Sequence, residues 1–171
     1  SPDGHEMQFA TNHLGHFALT GLLLPALIAV PHSRVVNVSS GAHRMARRIN
    51  FDDLMGEKKY SKWGAYGQSK LANIFFTFEL NKRLAAAGFD TISNTSHPGV
   101  VATNLQVNSV EQSNAKMENL LYKLAGPLLT QDVEMGVLPM LYGMTAEDAI
   151  GGAFYGPRTF NMRGYPKEQK A

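Results

Sequence analysis

A short β-branched run, Arg34-Val-Val-Asn-Val-Ser39, lies between two long stretches with the apolar content of helices, and this alternation constrains the fold most. The pattern predicts one long helix over residues 2–29 and a buried strand at 34–39. A second long helix is expected over 62–87, closed by Gly88 as a C′ glycine. A strand follows at 90–95, more polar than usual because of Ser93, Asn94 and Thr95. A helical excursion over 104–130, a helix over 131–146 and a short strand at 152–155 complete the reading. Residues 41–61 are polar and basic without a firm period and read as a loop with some local structure. Helices alternating with strands predict an α/β fold, a parallel sheet with helices on its faces. No repeat or linker divides residues 1–171, so a single domain is expected.

The bulk properties narrow the function. With 44% hydrophobic and 18% charged residues, the 171-residue chain is ordinary globular material. A net charge of +2 is too small to point to nucleic acid. The absence of cysteine excludes disulfides and thiolate metal sites and fits a reducing cytoplasm. No apolar run reaches the length of a membrane span, and the longest, Leu22 to Val30, is interrupted by Pro25. Ser1-Pro2-Asp3 reads as an N-cap, a proline at N1 and an acid in the first turn.

Ligands of open α/β sheets bind beyond the carboxyl ends of the strands. Ser39 and Ser40 end the first strand, and Pro98-Gly99 follow the second. Tyr66 and Lys70 lie between them, four residues apart and therefore on one helix face. An ammonium one turn away favours the phenolate, which suits a phenol to exchanging a proton with an alcohol or carbonyl oxygen. A serine hydroxyl converging on the same point would hold that oxygen. Asn12 sits inside the first helix, where asparagine is a poor helix former; its side chain is expected to support a water link to the lysine. Taken singly, Asn12 also reads as a surface asparagine, Ser40 as a turn serine and Pro98-Gly99 as a plain turn.

Four segments in this order resemble the short-chain dehydrogenase/reductases: Asn12-His-Leu-Gly-His-Phe17, Val35-Val-Asn-Val-Ser-Ser40, Tyr66-Gly-Gln-Ser-Lys70 and His97-Pro-Gly-Val-Val-Ala-Thr103. The first of them and the run Tyr66 to Asn73 are most similar to the retinol dehydrogenase-like branch. The resemblance implies a Rossmann-like doubly wound parallel sheet and hydride exchange between NADP or NAD and an alcohol, aldehyde or ketone. It implies that Asn12 serves a proton relay, Ser40 orients the substrate oxygen and Tyr66 is the acid/base. It implies that Lys70 assists ionisation of the tyrosine and hydrogen-bonds the nicotinamide ribose. Tyr66, Lys70, Pro98, Gly99, Val101 and Thr103 would bind the cofactor's nicotinamide end. The family's glycine-rich strand–turn–helix start and its Asn-Asn-Ala-Gly stretch are absent. The fold is therefore expected to be incomplete, with N-terminal strands missing, and the chain to be the C-terminal portion of such an enzyme. The alternative is a truncated, non-enzymatic relative acting as an interaction or dimerisation module.

Other features read more simply. His13 and His16, with His5 nearby, lack the carboxylates that would complete a metal site, so no metal is expected. The run His43 to Arg48 lacks interleaved aromatics and reads as a solvated loop rather than a nucleic-acid surface. Residues 115–129 are amphipathic and read as a lid over an apolar substrate. Surplus apolar positions on the two long helices predict a homodimer of the full-length protein, matching the family's frequent helix-pair contact.

Overall fold

The computed structural model describes residues 1–101 and 130–171. Helical structure begins at Met7–Phe9 (α1), passes through a π-helical turn at Ala10–Leu14, and continues as Gly15–Ile28 (α2). Strand Arg34–Val38 (β1) follows, then 3-10 turns at Gly41–Met45 and Phe51–Asp53, and the long helix Lys62–Ala86 (α3). Strand Ile92–Ser96 (β2), helix Val133–Thr145 (α4) and strands Phe154–Thr159 (β3) and Arg163–Gln169 (β4) complete the described chain.

Among the described residues the sheet has four strands in the order β1-β2-β3-β4. β1 and β2 pair in parallel with Val36 opposite Asn94, β2 and β3 pair in parallel, and β4 returns antiparallel to β3. Alternate residues of β1 show how both faces are covered. Val35 packs with Leu80 and Leu84 of α3, and Asn37 donates to Thr77 Oγ1 at 2.9 Å on that same helix. On the other face Arg34 donates to Ala146 O at 2.7 Å, at the end of α4. Parallel strands with helices on both faces make this a Rossmann-like doubly wound sheet, incomplete at four strands.

The strand polarity of 92–96 has a physical explanation. Asn94 Nδ2 donates to Gly143 O at 3.0 Å and Thr95 Oγ1 to Asn37 O at 2.8 Å, so these two groups bind neighbouring backbone instead of water, while Ser93 Oγ, Asn94 Oδ1 and Ser96 Oγ are buried without a partner. Gly88 closes α3 as expected: it takes φ +78°, while Phe89 N donates to Leu84 O at 3.1 Å and Gly88 N to Ala85 O at 3.1 Å.

Two readings change. Pro2 and Asp3 are not helical; Glu6 is the N-cap, its carboxylate accepting from Gln8 N at 3.0 Å and Phe9 N at 2.6 Å. A carboxylate that meets two helix-end donors outcompetes the proline signal, and Gly4, at φ +79°, turns the chain before it. Strand β4, which the loop-like composition of 163–169 concealed, is held by pairing with β3. Ordinary short-range cues fail there because Gly164 and Pro166 are tolerated on an edge strand. The expected excursion over 104–130 falls almost wholly outside the described residues, as does the 115–129 lid. Among the described residues no helix is long and apolar enough to cross a membrane.

Candidate active site

A cleft of about 810 Å³ opens at the carboxyl ends of β1 and β2 and is lined by Ser40, Tyr66, Lys70, Pro98, Gly99 and Val101 among others. The structure thus brings these site residues, scattered in sequence, to one place. Thr103 lies outside the described residues.

Ser40 leaves β1 with extended backbone and caps the 3-10 turn, its Oγ accepting from Ala42 N at 3.2 Å. His43 folds back under it: His43 N donates to Ser40 O at 3.0 Å, and His43 Nδ1 lies 2.7 Å from the same carbonyl. That contact requires the Nδ1–H tautomer of the imidazole. His43 is only 4% exposed, so the reading of this run as wholly solvated is corrected at its first residue. The ring packs edge-on against Phe154, which a basic run on its own does not signal. Burial lowers the His43 pKa.

Tyr66 and Lys70 sit on the first turns of α3, capped by Ser61, whose Oγ accepts from Gly64 N at 3.3 Å. The helix is pressed onto the serine turn at Gly67. A Cβ there would lie 2.7 Å from Ala42 O, so only glycine lets Tyr66 and Ser40 approach through this contact. Lys70 Nζ lies 5.7 Å from the centre of the Tyr66 ring and donates to Val38 O at 3.3 Å. Burial lowers the pKa of this amine. Trp63 meets the Tyr66 ring edge-on, with centroids 6.2 Å apart, and joins the cleft wall.

Asn12 lies in the π-helical turn, a distortion frequent at functional sites. The Asn12 amide donates to Ser69 Oγ at 3.1 Å, not toward Lys70. Its backbone carbonyl instead accepts from Asn73 Nδ2 at 2.9 Å, and that same amide nitrogen lies 3.1 Å from Val38 O, the acceptor of Lys70. Asn73, 2% exposed, therefore joins Asn12 to the lysine through the backbone of β1. His13 Nδ1 lies 2.9 Å from Asn73 Oδ1, and His16 Nδ1 is 3.0 Å from Asn12 O; both histidines are engaged within this helix pair.

The loop after β2 is built by His97, 1% exposed. Gly99 N donates to its Nδ1 at 3.2 Å, so Nδ1 is the acceptor and Nε2 carries the proton toward Gln169 Oε1 at 3.0 Å. Burial lowers the His97 pKa. Gly99 takes φ +72° directly against Met162 O, a position closed to other side chains. Sequence reasoning noted His97 only as part of a motif and passed over Asn73, Gln131 and Gln169, whose polar side chains give no periodic signal.

The short chain dehydrogenase family profile matches residues 2–114, more than half of the chain. This protein belongs to that family. Within it the chain falls in the retinol dehydrogenase-like branch. It is 43% identical over 159 residues to human (Homo sapiens) retinol dehydrogenase 13, covering 90% of this chain and 46% of the relative. It is 53% identical over 103 residues to human retinol dehydrogenase 14, covering 60% of this chain and 30% of that protein. The chain thus spans less than half the length of these curated relatives. A crystal structure of an uncharacterized protein from Mycobacterium Paratuberculosis superposes with a TM-score of 0.71 at 39% identity, over 98% of this chain and 51% of the other.

Proposed function

We propose that this chain carries the proton-transfer part of an oxidoreductase that interconverts an apolar alcohol with its aldehyde or ketone. The supporting observation is the convergence of Ser40, Tyr66, Lys70, Pro98 and Gly99 on one cleft. In this reading Ser40 Oγ, fixed by its cap to Ala42 N, orients the substrate oxygen. The Tyr66 hydroxyl exchanges the proton with that oxygen. Lys70 supplies the positive charge beside the ring and, held at Val38 O, remains in place through the cycle. Asn12 acts through Asn73 to hold the lysine's carbonyl partner.

The loop at Pro98, Gly99 and Val101 and the Lys70 amine fit the nicotinamide end of NADP or NAD, because they line the same cleft beside Tyr66. The chemistry a nicotinamide supplies when bound is hydride transfer. Residues 1–171 contain no glycine-rich phosphate turn, so the adenosine end has no counterpart of that kind in this chain. We infer that Thr103 also contributes to cofactor binding, as the resemblance implies.

Trp63, Val137, Met140, Phe160 and Met162 give the cleft an apolar wall, which supports a substrate of the class named in its relatives, retinol, or a similarly apolar alcohol. A second reading, an interaction or dimerisation module, draws support from Phe17, Leu22, Leu23 and Phe75, which expose 53%, 81%, 48% and 53% of their surface. The two readings combine if the complete enzyme is a homodimer paired through α2 and α3.

Titrating the chain with NADPH and NADH while following nicotinamide fluorescence separates them. Saturable binding of either is expected; no binding by the chain, alone or within a longer enzyme, overturns the catalytic reading.

A further inference from the structure

We propose that Gln131 is a positioning residue that locks the nicotinamide-facing loop to the β3–β4 hairpin, so that cofactor site and substrate wall act as one unit; this rests on the reading of the cleft given above. Gln131 is 9% exposed and stands just before α4. Its Nε2 donates to Pro98 O at 2.7 Å, and its Oε1 accepts from Gly164 N at 2.7 Å. The amide orientation is fixed by this pair of contacts, since turning it over would set donor against donor and acceptor against acceptor. The Gln131 backbone adds a third tie, its N–H donating to Val100 O at 2.9 Å in a parallel bridge with Val101.

The hairpin meets the same loop from the other side. Val100 N donates to Met162 O at 2.9 Å, and Gly99 packs against that carbonyl. At the hairpin tip Phe160 and Asn161 take φ of 52° and 60°, a two-residue turn of the type that matches strand twist. Asparagine tolerates that conformation and phenylalanine does not, yet Phe160 is 88% exposed and lines the cleft. An unfavourable, exposed aromatic at the tip of a clamped hairpin marks a wall held in place for a ligand. Gln131 spans from that hairpin to the loop on the Pro98 side, while His97 and Gln169 tie the base of the loop to β4.

Near-isosteric variants test this. Gln131→Met removes both side-chain bonds, whereas Gln131→Glu keeps the acceptor for Gly164 N and loses the donor to Pro98 O. Both are expected to weaken NADPH or NADH binding about tenfold, the scale of one or two buried hydrogen bonds. In the active enzyme kcat at saturating cofactor and the pH profile of turnover should be unchanged, so the effect falls on KM. Amide exchange at Gly164 should accelerate in Gln131→Met and less so in Gln131→Glu. Arg34→Met, which removes the bond to Ala146 O remote from the cleft, is the control for general loosening and should leave cofactor affinity unchanged. Wild-type affinity in Gln131→Met, or equal weakening in Arg34→Met, overturns the role of Gln131 alone. Failure of the wild-type protein to bind either cofactor overturns the reading of the site and this role with it.

Discussion

The two long helices invert what their compositions imply. α2 is rich in leucine, yet no residue in it is fully buried. α3 carries the more polar sequence and buries Gln68, Ser69, Asn73 and Thr77 along with Ile74, Leu80 and Leu84. The difference is one of neighbours. α3 lies on β1 and β2 and under the 3-10 turn, so polar side chains on that face find backbone carbonyls: Asn73 reaches Val38 and Asn12, and Ser69 reaches Tyr66 O at 2.8 Å. α2 meets this core with Leu24, Leu27 and Ile28, against Val35, Leu80 and Leu84, and meets α3 with Phe17 on Phe76, ring centroids 4.9 Å apart. Burial follows from what stands opposite a helix face. Apolar content alone does not decide it.

The largest test of this contrast falls on the chemistry that α3 supports. Tyr66→Phe in the active enzyme should lower turnover roughly 10²–10⁴-fold, the usual share of a positioned acid/base, with thermal unfolding unchanged. Near-normal turnover would leave α3 a structural helix only. Next comes packing. Leu84→Ala should cost about 2–5 kcal/mol in denaturant unfolding, because Leu84 is only 4% exposed. Leu22→Ala, at 81% exposure, should stay within about 0.5 kcal/mol in dilute protein. A large, concentration-dependent loss at Leu22 would show that α2 is covered by a second copy.

Smaller effects probe the buried ionisable groups. Because burial lowers the Lys70 pKa from 10.5, the folded state carries the desolvation cost at neutral pH and is relieved as pH rises toward 10.5. Lys70→Met should therefore raise the melting temperature at neutral pH, by a margin that shrinks in alkali, while abolishing turnover. His97 has the same sign on the acid side. Its pKa is lowered from 6.5, so its contribution is full above that value and is lost as pH falls through the folded-state pKa. Protonation at Nδ1 also breaks the bond from Gly99 N. His97→Asn should reduce the stability difference between about pH 7 and about pH 5, measured by urea unfolding. Smallest is the hairpin tip: Phe160→Gly should stabilise the fold by about 1 kcal/mol by relieving the left-handed backbone, at the expense of affinity for apolar alcohols.

Much of this was legible in the chain. The β-branched run at 34–38 and the helix through Tyr66 and Lys70 follow from local pattern, and Gly88 ends that helix for a local reason. The spacing of Tyr66 and Lys70 alone sets them on one face. The resemblance supplied Ser40, Pro98 and Gly99, and the fold brings them to the same cleft. What was hidden depends on partners distant in sequence. Glu6 displaced the proline signal as helix cap, and β4 exists by virtue of β3. Asn12 gives its amide to Ser69 and its carbonyl to Asn73, both on α3 and about sixty residues away in sequence.

The sequence by itself determined which groups the site contains, since side-chain chemistry and helical spacing are local properties. It determined the alternation of elements for the same reason. Tertiary structure alone decided that Asn73 connects Asn12 to Lys70, that His43 and His97 are buried, and that Gln131 joins the loop to the hairpin. The Asn73 and Gln131 ties are hydrogen bonds between residues far apart in the chain, and they, like the burial of the two rings, are fixed only when the sheet has brought the segments together.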